Sequence, residues 1–253
     1  MALDDALLTA VAAGDAPPTL RLYGWSPPCL SLGYGQRAQE ADRTRLAANH
    51  WDLVRRPTGG RAILHADELT YSLALPIDHP LAHGSIVESY RRISAALLLA
   101  LHILGAQAQA APTEKQTDAP ASPVCFDTPS HYEIAVAGRK LVGSAQVRRQ
   151  HGILQHGTLP LTGDISRICD ALLYPDEAER SAAKAEVLTR ALTLETALGS
   201  LVGWQTAANA VAQGFTDAFD LTLVPGDFTP AERAQADQLL ASTYANDEWT
   251  LRR

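Results

Sequence analysis

Hydrophobic and polar positions alternate along this chain in ways that predict its elements one by one. Ala2–Ala13 reads as a helix, followed by a turn at Pro17 and Pro18. Short apolar runs at Leu20–Tyr23 and Leu30–Tyr34, separated by proline, read as strands, and Arg37–Ala48 reads as a helix. Leu53–Arg56 and Ala62–Leu64 flank the turn Pro57-Thr58-Gly59-Gly60. Leu69, Tyr71, Leu73 and Leu75 alternate with polar or small residues, the signature of a half-buried strand. A long helix opens at Ser85, where Ser85 and Glu88 form a capping box in which each side chain bonds the other's unpaired backbone N–H. Ile86, Tyr90, Ile93, Leu97 and Leu101 then recur at helical spacing, and Gly105 ends the helix in a left-handed turn.

From Gln107 to Val124 the sequence turns polar and proline-bearing, which predicts a loop delivered next to Cys125. Tyr132–Gln155 reads as consecutive strands with a hairpin turn at Ala137-Gly138. Strict alternation sorts the second strand of that hairpin into two faces. Leu141, Gly143, Ala145 and Val147 share one, and Lys140, Val142, Ser144, Gln146 and Arg148 share the other, which is polar enough to line a site. After Thr162 the pattern becomes helical, at Asp164–Leu173, Leu192–Val202, Trp204–Phe219 and Thr229–Tyr244. The last of these opens with a second capping box, Thr229-Pro230-Ala231-Glu232. The expected organisation is α+β, a sheet-rich body over residues 1–162 and a helical part over 163–253 that belongs to the same domain or forms a small appendage.

Composition narrows the function. The 253 residues carry a formal net charge of -7, which argues against non-specific nucleic-acid binding. No apolar run reaches the roughly 18 residues of a membrane span, and the acidic N-terminus lacks the basic start of a signal peptide. The cytoplasm is the expected location. Cys29, Cys125 and Cys169 show no paired spacing and read as free thiols. An acidic protein partner would have to be drawn by local basic patches, the candidates being Arg55, Arg56 and Arg61, then Arg91 and Arg92, then Arg148 and Arg149. Nearly all positive charge is arginine. The only lysines are Lys115, Lys140 and Lys184, so a lysine inside a strand pattern stands out as a compact point charge.

Cys125 is the first candidate for chemistry. A lone cysteine is more often a small buried hydrophobe, and as a nucleophile it needs a positive neighbour that favours its thiolate. Lys140 could supply that charge, although spacing alone does not bring the two together. A Cys–His protease pairing with His131 or His156 lacks a surrounding oxyanion motif. His79 with His83, or His151 and His156 with Cys125, are too loosely spaced to predict a metal site. Arg55-Arg56-Pro57-Thr58-Gly59-Gly60-Arg61 reads either as a solvated basic turn or as an anion or carbonyl cradle. It is neither a Walker loop nor a dinucleotide fingerprint.

Taken in order, RRPTGGRAILH, CFDTPSHYE, GRKLVGSAQ and LQHGTL resemble segments of the lipoate/biotin protein ligase superfamily, and of its LipM-type octanoyltransferases in particular. The resemblance runs from Met1 to the closing YANDEW. It implies a mixed β-sheet flanked by helices, as in the biotin and lipoate protein ligases. It implies that Cys125 carries octanoyl as a thioester and that Lys140 lowers the cysteine pKa and orients the acyl carbonyl. Arg55, Arg56, Thr58, Gly59, Gly60 and His65, with Ser144, Gln146, His156 and Gly157, would line the acyl site. The donor would be octanoyl-acyl-carrier protein and the acceptor a lipoyl-domain lysine, of the glycine cleavage H protein or an E2 subunit, with no ATP or metal and a monomeric enzyme.

Two departures from the family pattern stand out. Relatives carry a strand before the segment that opens this chain, so a start upstream of Met1 or a missing edge strand is expected. Ala66 follows His65 where relatives often have aspartate, with Asp67 as a substitute. Three rivals remain within the superfamily. They are an ATP- and Mg-dependent lipoate–protein ligase with no role for Cys125, an amidotransferase between lipoyl domains, and a non-catalytic acyl-binding adaptor. A biotin ligase is disfavoured because its GRGRxGR loop is absent.

Overall fold

A computed structural model of the protein describes residues 1–111 and 133–252. Cys125, His131 and most of the loop predicted over 107–124 lie outside the described residues. The elements run in the order α1 (Ala2–Ala13), β1 (Thr19–Tyr23), β2 (Cys29–Leu32), α2 (Arg43–Ala48), β3 (Asp52–Arg55), β4 (Ile63–His65), β5 (Glu68–Pro76) and α3 (Ile86–Ile103). They continue with β6 (Ala108–Ala111), β7 (Glu133–Val136), β8 (Arg139–Arg148), β9 (Gly152–Pro160), α4 (Glu177–Arg190), α5 (Leu194–Leu198), α6 (Trp204–Phe219), α7 (Pro230–Leu239) and α8 (Asp247–Thr250).

Two sheets organise the molecule. The larger is antiparallel, in the order β1-β5-β9-β8-β7-β6. The smaller, β3-β2-β4, is mixed, with β2 parallel to β3 and antiparallel to β4. The parallel pair follows from the connection, because α2 carries the chain back across the sheet before β3 begins. Together they make the mixed-sheet α+β architecture with flanking helices.

The large sheet is covered on both faces. Ile93, Leu97, Ala100 and Leu101 of α3, with Val211 and Phe215 of α6, meet Leu69, Tyr71, Leu73 and Leu75 on one side. Leu7, Leu8 and Val11 of α1 meet Ala74 and Leu154 on the other. β5 is therefore buried along both faces up to Leu75 rather than half-buried as its alternation predicts. Its polar face, Glu68, Thr70 and Ser72, also turns inward, with Glu68 accepting from Thr70 and Thr70 from Trp25.

Several local predictions hold at the residue level. Both capping boxes form, at Ser85/Glu88 and Thr229/Glu232. Ala137 and Gly138 turn the β7–β8 hairpin with φ of 49° and 75°, the left-handed pair that a two-residue loop requires. Other predictions fail for identifiable reasons. Arg37–Ala48 is not one helix: Asp42 caps a fresh start by accepting from Arg45 N, leaving only a short 3-10 turn at Ala38–Glu40 before it. The predicted loop begins with a strand, β6, at the sheet edge. The 14-residue helix α4 was missed because it buries only Arg180 and Val187, so it shows no apolar stripe. Its start is nonetheless written in Asp176, which caps Glu179 N.

The helices after Thr162 join the same cores as the strands. α6 packs on α3, α7 on α1, and α8 on β3. Among the described residues no helix is long and apolar enough to cross a membrane.

Candidate active site

A β-bulge decides which residues face the space between the two sheets. Ile134 pairs with Val142 but its neighbour Ala135 pairs with Lys140, leaving Leu141 as an extra residue in β8. An extra residue shifts the two-residue period by one, so side chains on either side of it exchange faces. Lys140 is thereby moved to the face of Gly143, Ala145 and Val147. A Cβ built on Gly143 would lie 3.4 Å from Lys140 Cε. The polar face predicted for Lys140, Val142, Ser144, Gln146 and Arg148 thus does not exist as a unit.

Without Lys140, the rest of that face turns toward α3. Val142 enters the apolar core. Ser144 Oγ accepts from Tyr71 OH at 2.8 Å, and Tyr71 OH accepts from Gln155 Nε2 at 2.9 Å. Gln146 Nε2 donates to Gln155 Oε1 at 2.9 Å and to Ser89 Oγ at 3.0 Å. Burial of Tyr71 pushes its phenol well above the usual range, so it remains a neutral donor.

Between the sheets lies a pocket of about 110 Å³. Its floor is Gly143, Ala145, His156, Thr158 and Thr70 of the large sheet. Its opposite wall is the Gly59–Arg61 turn with Ile63 and His65 of the small sheet, and Lys140 and Met1 also line it. Of the residues predicted for the site, Arg56, Gly59, Gly60, His65, Lys140, Ser144, His156 and Gly157 border this one pocket. Arg55, Thr58 and Gln146 do not. Ile63, Thr70, Gly143, Ala145 and Thr158 line it without being predicted; strict alternation puts Gly143 and Ala145 on the face opposite the polar one.

In the Arg55–Arg61 segment the glycines of the turn are exposed, while the two leading arginines are not solvated. Arg55 and Arg56 are almost completely buried, and their donors go to backbone carbonyls. Arg55 bonds the carbonyls of Gly33, Gln36 and Thr250. Arg56 bonds those of Ser31, Gly59 and Arg61. They hold the turn and the C-terminal segment in place, and neither forms part of a surface patch for an acidic partner. Gly60 has φ of 91°, and its carbonyl sits so close to Gly33 that any Cβ there would collide with it. The turn can therefore pack on position 33 only because that residue has no side chain.

Two histidines occupy the walls. His65 stacks on Trp25 with ring centroids 4.3 Å apart. Its Nδ1 lies 2.9 Å from Glu68 Oε1 and its Nε2 lies 2.8 Å from Ser31 Oγ. Both ring nitrogens are thus engaged away from a ligand. His156 Nε2 lies 2.7 Å from Thr58 Oγ1. Burial is the main cause that drives the His156 pKa down to about 3, assisted by Arg56 and His65 and opposed by Asp4, so its imidazole is neutral.

Strand β8 brings Lys140 into the pocket. The lysine is only 3% exposed, and its Nζ donates to Glu133 Oε1 at 2.7 Å. Asp67, the substitute considered for Ala66, instead pairs with Arg167 at 2.6 Å. Cys29 and Cys169 are buried free thiols, and burial raises Cys29 to about 12, which removes it as a nucleophile. Among the described residues no three His, Cys, Asp or Glu side chains are grouped to hold a metal.

The whole chain resembles known proteins. The family model described as the lipoyl protein ligase A/B catalytic domain matches residues 1–216. A Kyrpidia tusciae protein named octanoyltransferase LipM is 44% identical over 258 residues, covering all of this chain and 94% of that protein. The chain belongs to the LipM octanoyltransferase family. A LipM from Moorella thermoacetica is 42% identical, with 100% and 93% coverage. Among solved structures, the bi-partite lipoate protein ligase of Thermoplasma acidophilum superposes with a TM-score of 0.80 at 23% identity, covering 99% of this chain and 91% of that one. That last likeness establishes the lipoate protein ligase catalytic fold, and membership of the LipM family makes the protein an acyltransferase.

Proposed function

We propose that the protein transfers an octanoyl group from acyl-carrier protein to a lysine of a lipoyl-domain protein in lipoate biosynthesis, by way of a thioester on Cys125. The acceptor is the glycine cleavage H protein or an E2 lipoyl domain. The observation that carries this reading is the placement of Lys140, a buried ammonium on the wall of the inter-sheet pocket, in a chain matched end to end by LipM relatives. An ammonium there favours a neighbouring thiolate and polarises a thioester carbonyl.

In the first half-reaction the Cys125 sulfur attacks the acyl carbon. A new C–S bond forms, the bond to the carrier's thiol breaks, and that thiol leaves with a proton. In the second, the acceptor's amine attacks the same carbon, a C–N bond forms, and Cys125 is released as the amine proton is lost. The pocket supplies a slot with glycine and alanine on its floor, against which a straight alkyl chain can lie. The acyl group arrives already activated, so neither ATP nor a metal enters the scheme.

Intact-protein mass spectrometry after mixing the enzyme with octanoyl-acyl-carrier protein, without ATP, tests the proposal. A hydroxylamine-labile octanoyl adduct, lost in Cys125→Ala, is expected. No adduct, but modification of a lipoyl domain once octanoate or lipoate, ATP and Mg are supplied, would replace the transferase with a ligase.

A further inference from the structure

Lys140 reaches the pocket through a bulge, and the same distortion aims it at a carboxylate. Ala135 faces Lys140 across the β7–β8 ladder, and Glu133, two residues from Ala135, points to the same face of the sheet. Between them lies Gly143, whose missing side chain leaves room for the lysine stem: a Cβ there would stand 3.4 Å from Cε and 3.9 Å from Nζ. The stem crosses that gap and ends 2.7 Å from Glu133 Oε1. Lys140 is 3% exposed and Glu133 17%, so the ion pair is largely sheltered from water. An ammonium in such a place is stable only against a counter-charge, and a four-carbon stem points in one direction only if something fixes its end.

Among the described residues, the other charged and titratable groups placed around Lys140 are these. Arg56, Arg61, His65 and His156 share the pocket with it. Arg190, beside the Ala191 that bridges to the Lys140 backbone, pairs with Glu186. We propose that Glu133 is the positioning residue for Lys140: it keeps the ammonium charged and fixes its direction in the pocket, and acyl transfer depends on it without its touching the substrate. This inference rests on the reading of Lys140 as the charged partner in acyl transfer.

The test uses Glu133→Gln, which preserves shape and removes charge, and Glu133→Asp, which preserves charge one methylene short. The chain has three lysines, so in protein labelled with 13C-lysine the Lys140 Cε–Hε signal is assigned by its loss in Lys140→Arg. Its titration midpoint is expected to move to lower pH in Glu133→Gln, because loss of an adjacent opposite charge disfavours the ammonium. Glu133→Asp should restore it at least in part. In parallel, the alkaline limb of the pH profile for octanoyl-adduct formation is expected to move to lower pH in Glu133→Gln and to return toward wild type in Glu133→Asp.

An unmoved Lys140 midpoint in a folded Glu133→Gln protein would overturn the proposal, as would a loss of rate with both limbs unshifted, the mark of a purely structural role. If Glu133→Gln does not fold, Glu133→Ala decides by the same two readouts: a Lys140 midpoint and an alkaline limb both unchanged in that variant count against the proposal. If the wild type forms no adduct at any pH, the acyl-transfer reading fails, and the lysine titration still shows separately whether Glu133 governs Lys140.

Discussion

Thr58 Oγ1 lies 2.7 Å from Nε2 of His156, which ties the glycine turn of the small sheet to the central strand β9 of the large one. Both residues are buried, and Tyr34 N donates to the Thr58 carbonyl at 2.9 Å from the other side. The pocket is the space that this link holds at a fixed width.

Thr58→Val should therefore destabilise the fold by about 1–3 kcal/mol, the cost of leaving a buried ring nitrogen without its partner. Urea unfolding of wild type and variant measures it. A midpoint unchanged within error would mean that His156 finds another partner.

His156 also sets an acid limit. Its folded pKa, about 3, lies below its ordinary value of 6.5, so folding holds it neutral. Its contribution is complete above the unfolded pKa and is lost as pH falls from 6.5 toward 3, because the unfolded chain takes up a proton that the folded one refuses. Within that window this single group should lower stability by about 1.4 kcal/mol per pH unit. The difference in slope between wild type and His156→Gln, from urea titrations at several pH values, isolates it. Parallel slopes would show that the ring is protonated in the folded protein.

Gly143 is the position where added volume enters the pocket. Gly143→Ala brings a methyl to 3.4 Å from Lys140 Cε, a contact a small shift can absorb. Gly143→Val exceeds it. Adduct formation with octanoyl-acyl-carrier protein should fall by about tenfold or more in Gly143→Val, the rate effect of about 1.4 kcal/mol of misplacement, and much less in Gly143→Ala. Stopped-time mass spectrometry reads both rates, and equal rates in the two variants would place the acyl chain elsewhere.

Arg55 bonds the carbonyls of Gly33, Gln36 and Thr250, and its own carbonyl accepts from Trp249 Nε1 at 2.9 Å. Arg55→Ala removes this donor from the Gln36 and Thr250 carbonyls, while the Gly33 carbonyl keeps Gln36 N, and should cost about 3 kcal/mol or more. Arg55→Lys should recover only part of that, since an ammonium cannot reproduce the planar fork. Thermal unfolding ranks the three proteins, and a wild-type Tm for Arg55→Ala would refute the bracing role.

The sequence by itself determined a good deal of this protein. Local signals placed both capping boxes, the Ala137-Gly138 hairpin, and helices α1, α3 and α6, because each depends on residues within a turn or two of one another. It also pointed to the Gly59-Gly60 turn, His65, Lys140 and the His156-Gly157 pair, which all border one pocket. Cys125, the first candidate for chemistry, lies outside the described residues.

Tertiary structure decided the rest. Strict alternation put Lys140 beside Ser144 and Gln146, yet the extra residue Leu141 sends the lysine to the pocket and leaves the other two facing α3. A bulge is set by how two strands pair, which no pattern within one strand records. Arg55 and Arg56 read as surface charge until the carbonyls that bind them, from residues as distant as Thr250, came into place. Glu133 was passed over for the same reason, because a carboxylate acquires a role only from what the fold sets against it.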